Sequence, residues 1–179
     1  SFRKIFKASK ENYILIFLIS IICMYMITGY DGALYHLPHQ NFIRDYKIIF
    51  GLFNLHERFG TISIYSYISS ILWIKDELLI LSFFQGIFYF LLFKTILDYI
   101  RNKDLTKNAI AISTLIFIPI WIRYAQPSYS LIDFPTGVIF FLSFLKATEI
   151  IIFKNFEKDN IKFFLIISAL LFSFKSSNL

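Results

Sequence analysis

Apolar blocks of near-bilayer length alternate along this chain with short polar segments. Five of them predict spanning helices: Tyr13–Tyr30, Leu78–Ile100, Asn108–Ile122, Phe134–Phe153 and Ile161–Phe174. A sixth uncharged stretch, Thr61–Ile74, is only about 21 Å long as a helix, against a hydrocarbon core of about 30 Å. It also carries Thr61, Ser63, Ser66, Ser69 and Ser70, so apolarity alone does not decide whether it crosses.

Charge decides it. If Thr61–Ile74 lies in the interface or re-enters, the segments on one side hold Arg3, Lys4, Lys7, Lys10, Arg101, Lys103, Lys107, Lys154, Lys158 and Lys162. The other side then holds Arg44, Lys47, Arg58, Lys75 and Arg123. A crossing segment would invert this bias, so positive-inside reasoning predicts an interfacial or re-entrant segment and a cytoplasmic N-terminus. The long outer connection, residues 30–77, has Leu34, Leu37, Phe42, Ile43, Tyr46, Ile49 and Phe50 at rough helical spacing. This predicts helices lying on the membrane surface, broken near Pro38.

Composition agrees with a membrane chain. Hydrophobic residues make up 57% of the 179, aromatics 20% and charged residues 17%, the last below the usual quarter. The net charge of +6 sits in loops between apolar blocks, which argues against nucleic acid as a partner and for the lipid bilayer. The apolar stretch after the basic N-terminus is too long for a cleaved signal and lacks a small-residue cleavage site. Cys23 stands alone inside the first block and is expected to pack. Lys146 and Glu149, three apart inside the fourth block, are expected to form an ion pair toward its inner end. The last block ends at Phe174, close to the end of the sequence, which predicts an N-terminal transmembrane part, residues 1–179, of a larger protein. The richness in Ile, Phe, Lys, Asn and Tyr suggests an AT-rich bacterial genome and hence the bacterial cytoplasmic membrane.

Two carboxylates stand out at the outer rim. Asp31 follows the first block in Gly29-Tyr30-Asp31-Gly32-Ala33-Leu34-Tyr35-His36-Leu37-Pro38, and Asp133 opens the fourth in Leu131-Ile132-Asp133-Phe134-Pro135. A carboxylate there meets both water and lipid headgroups, where an enzyme acting on a lipid-linked substrate needs its base. Each has an equally good structural reading. Asp31 can cap a surface helix starting at Gly32, and Asp133 can cap the helix that Pro135 begins.

In this layout the sequence resembles the GT-C superfamily, membrane glycosyltransferases that use polyprenyl-phosphate sugars, such as protein O-mannosyltransferases and aminoarabinose transferases. The shared features are an acid directly after the first spanning helix, the Asp133–Pro135 turn in the next outer loop, and Lys175. The stretch Tyr35–Gly60, with Gly51-Leu52-Phe53-Asn54-Leu55-His56-Glu57-Arg58, looks closer still to a group of bacterial polytopic proteins carrying Tyr-His-Leu and Gly-Leu-x-Asn-Leu-His. One departure is Gly32, which stands where many relatives place a second acid and which weakens metal binding.

The resemblance implies an all-α, polytopic transmembrane bundle that moves a sugar from a polyprenyl-phosphate-linked donor to an envelope acceptor, be it glycan, lipid or protein. Asp31 is then the expected base and Asp133 its support. The departing phosphate needs cations, and Arg58, Lys47, Arg44, Arg123 and Lys175 are the candidates, with His36 beside them. The cofactor is left open. A divalent metal ion would have Asp31, Asp133 and His39 as candidate ligands, with a structural role for the His36/His39 pair as the competing reading. Two other classes share the layout: a transporter or flippase of lipid-linked sugars, and a non-catalytic subunit of an envelope polymerase or ligase.

Overall fold

The computed structural model describes residues 9–46, 51–55, 59, 63–74, 78–101, 105–124, 132–152, 154 and 156–174, with the backbone alone at 52–53 and 117–124. Among the described residues the chain is all-helical, with no extended strand. In chain order the helices are α1 (Lys10–Met24), a π-helical turn π1 (Gly32–His36), α2 (Leu37–Asp45), α3 (Leu52–Leu55), α4 (Ile64–Leu72), α5 (Leu79–Ile100), α6 (Leu105–Tyr124), α7 (Asp133–Ile152) and α8 (Lys158–Phe174).

The long helices begin close to the apolar blocks but extend into the flanking polar residues. Ser9 caps α1 by accepting from the Asn12 amide at 3.3 Å, and Glu11, Asp133 and Asp159 occupy first turns, where the exposed amides favour an acid. α1 ends at Met24, six residues before the apolar block does, and a turn at Tyr25 leads to the loop containing Gly29. Among the described residues two helices, α5 and α7, are long and apolar enough to cross a membrane, with mean hydropathies of 1.8 and 1.6.

Named contacts fix the helix directions. Arg101 at the end of α5 pairs with Glu11 at the start of α1, while Gly86 lies against Ile19 and Cys23 further along, so α1 and α5 are antiparallel. Phe134 stacks on Tyr89 at 4.1 Å between ring centroids, and Tyr99 donates to Glu149 at 2.9 Å, so α7 runs parallel to α5. α8 returns antiparallel to α7: Phe163 lies beneath Lys146, Ser168 beside Ser143, and Phe174 beside Phe88. The bundle therefore has a basic end, with Arg101, Lys107 and Lys146, and an opposite end where α1 stops and α7 starts.

At the basic end Glu149 gathers the expected ion pair and more. Lys146 approaches it at 2.6 Å and Lys107 at 3.9 Å, which ties α6 to α7 while Tyr99 ties in α5. Cys23 packs, as expected: it is 1% exposed and carries no disulfide.

α4 does not traverse the bundle. Its N-terminal side chains sit at the level of the second and third turns of α5, with Tyr65 donating to Gln85 at 2.6 Å and its ring against Phe84, Phe88 and Phe174. Ser63 donates to the Phe174 carbonyl at 2.6 Å, satisfying one of the orphan acceptors at the end of α8. From there the chain rises over nine residues toward the start of α5. This is a helix that dips in at one end.

α4 packs inside out relative to a helix of a soluble protein, while the core of the long helices is apolar. α4 buries Tyr65, Ser66, Ser69 and Ser70 and exposes Ile64, Tyr67, Ile68 and Ile71. α5 buries Ser82 and Gln85 and exposes Phe83 and Ile87, and α7 buries Ser143 and exposes Phe140 and Phe144. The large apolar side chains exposed on all three helices suit a hydrocarbon surrounding, where apolar groups do not need hiding.

Candidate functional site

The surface expected to break at Pro38 is continuous. Pro38 has no N–H to offer the Leu34 carbonyl and its ring crowds the preceding turn. The chain accommodates it with the wider π1 turn, closed by the Leu37 amide on the Gly32 carbonyl, and enters α2 without interruption. Asp31 stands at the head of π1 with helical φ/ψ of −63° and −31° and makes no capping hydrogen bond. The capping role that sequence allows for Asp31 is thus not taken up by its side chain. Asp31 is half-exposed and Asp133, the first residue of α7, is exposed.

Helix direction puts Asp31 and Asp133 at the same end of the bundle, with α4 dipping in there as well. Their elements pack on different neighbours: π1 on α2, and α7 on α5 and α8. Of the cationic candidates, Arg44 is described. Its guanidinium grips Asp45 with contacts of 2.7 and 3.3 Å and lies 4.8 Å over the Trp73 ring, holding the Asp45 carboxyl below its ordinary value. Arg44 is therefore fixed between α2 and the end of α4, with much of its charge already answered. Lys47, Arg58 and Lys175 lie outside the described residues, as does the side chain of Arg123.

Among the described residues no three of His, Cys, Asp and Glu gather as a metal site. The His36 ring lies tilted against Tyr35, with centroids 4.3 Å apart. His39 is buried and stacked on Phe59 at 5.5 Å; both rings belong to an aromatic layer with Phe42. Burial pushes the His39 imidazole below its ordinary value of 6.5, because a charged ring would be taken out of water. The sign follows: the unfolded chain takes up this proton more readily than the folded one, so stability falls as pH drops below about 6.5. Thermal melts from pH 7.5 to 5 should show a declining midpoint, and His39→Phe should flatten that decline. A slope unchanged in His39→Phe would remove this assignment.

Sequence reasoning did not single out the most tightly buried polar groups at this end. Gln40 is 0% exposed, and neither its Nε2 nor its Oε1 has a hydrogen-bond partner; the Trp73 Nε1 is likewise buried and without one. Gln40 and Arg44 share a face of α2 by their spacing of four, and Arg44 reaches Trp73, so Gln40 looks onto the α4 side, where α2 packs. A buried, unsatisfied donor or acceptor costs about 1–3 kcal/mol. Three such atoms on one small face would take a large share of a typical net stability of about 5–15 kcal/mol. No spacing in the sequence marks Gln40 or Trp73, which are short of partners only through their three-dimensional neighbours.

No curated protein and no solved structure matches the chain. A family model described as a domain of unknown function, DUF8201, matches residues 1–179, and the chain belongs to that family.

Proposed function

We propose that this chain belongs to a polytopic membrane glycosyltransferase of the bacterial cytoplasmic membrane, with its N-terminal end on the cytoplasmic side and its active site on the outer face. It moves a sugar from a polyprenyl-phosphate carrier to an envelope acceptor. Asp31 takes the acceptor's proton as its oxygen attacks the anomeric carbon; the carbon–phosphate oxygen bond breaks, and cations of the outer segments hold the departing phosphate. Asp133 supports the acceptor.

The observation that carries this reading is the shared end. α1 runs antiparallel to α5 and α7, which supports Asp31 and Asp133 lying toward one end, opposite the basic end, and the exposed apolar side chains of α4, α5 and α7 support lipid around them. That end also holds the dipping α4, a means of bringing a lipid-borne substrate and a polar acceptor to one depth.

The test is to incubate the intact protein, in sealed vesicles, with radiolabelled polyprenyl-phosphate sugars and membrane acceptors. A transferase consumes the donor and labels the acceptor. Relocation of unconsumed donor across the bilayer would identify a flippase instead, and neither result would leave a non-catalytic subunit.

A further inference from the structure

We propose that the face between α2 and α4 seats an uncharged, hydroxyl-bearing ring, a saccharide unit. Gln40 donates and accepts through its two amide atoms and Trp73 donates through its indole N–H. Naming this ring as part of the transferred or accepting sugar rests on the transferase reading; the seat itself does not.

Four observations combine. Gln40 is 0% exposed with both amide atoms unanswered, so the face holds a donor and an acceptor side by side. Trp73 adds a second donor from the other element. The Trp73 ring, with the Arg44 guanidinium 4.8 Å from its centroid, makes this face partly aromatic, and a sugar presents apolar C–H faces to rings and hydroxyls to amides. Finally, the face lacks an uncompensated charge: Arg44 is paired with Asp45 and burial keeps His39 neutral at pH 7. An anion would find no free cation among these groups, whereas hydroxyls answer each of them in turn.

The experiment uses the full chain in lipid nanodiscs, in a Trp121→Phe background that leaves Trp73 as the sole indole. The methyl glycosides of glucose, mannose, galactose and N-acetylglucosamine are titrated and followed by Trp73 fluorescence and saturation-transfer NMR. At least one glycoside should bind saturably. Gln40→Met should weaken it at least tenfold while raising the melting temperature, since the substitution removes the stranded amide; Trp73→Phe, read by NMR, should weaken it as well. Binding undiminished in both variants overturns the seat. So does a protein that binds none of the four while Gln40→Met is more stable, because the amide then carries water alone. Glycoside binding without sugar transfer would keep the seat and remove the transferase; undiminished transfer by Gln40→Met together with undiminished glycoside binding would keep the transferase and remove the seat.

Discussion

Asp31→Asn in the intact protein is expected to lower sugar transfer by about 10²–10⁴-fold, the range that a positioned general base supplies, with the amount of folded protein unchanged. Asparagine keeps the shape and the polarity but cannot take a proton at neutral pH. The separation of activity from stability follows from local structure. Asp31 is half-exposed and its side chain makes no cap to π1, so the exchange removes no hydrogen bond from the helix start, where a lost cap would cost about 1 kcal/mol. Transfer and melting are both measured on the same purified preparation. Full turnover in Asp31→Asn would take the base role away from this residue, and loss of folding would restore the helix-start role in its place.

The second large effect lies in the α1–α5 interface. A Cβ at Gly86 would stand 2.7 Å from the Cys23 sulfur and 3.4 Å from Ile19, and both partners are buried. Gly86→Ala is therefore expected to cost about 1–3 kcal/mol as overpacking, and Gly86→Leu to separate the helices and abolish recovery of folded protein. Small residues let packed helices approach closely, and here Gly86 and Cys23 play those parts on facing helices. The conflict with the sulfur is specific, so Cys23→Ala should rescue Gly86→Ala: the double variant should melt higher than Gly86→Ala alone, with a positive coupling in the cycle. Additive losses would show that the two positions do not meet.

The two helices long and apolar enough to cross a membrane, α5 and α7, the shortness of the Ser-rich α4 and the Lys146/Glu149 pair were legible because each depends on local pattern: block length and a spacing of three. The start of α1 at Lys10 and its early end at Met24 were less so, since a Ser9 cap and a turn at Tyr25 outweigh the uniform apolarity of residues 13–30. Pro38 reads as a break because a proline ends most helices. The π1 turn absorbs it, and a widened turn leaves no mark in periodicity over five residues. Asp31 and Asp133 were found by position at the rim. Gln40 was not, because its significance is that nothing answers it, a property of three-dimensional neighbours that no spacing encodes. The inverted burial of α4 is similar: the alternation of hydroxyl and aliphatic positions is visible in sequence, but which side faces inward depends on the surrounding medium.

The bond from Ser63 to the Phe174 carbonyl joins positions 111 residues apart. A ribosome delivers Ser63 long before Phe174, so during synthesis the start of α4 is held by α2 and α5 alone until α8 arrives. A nascent chain truncated ahead of α8 should therefore leave Ser63 more open to solvent-borne reagents than it is in the full chain.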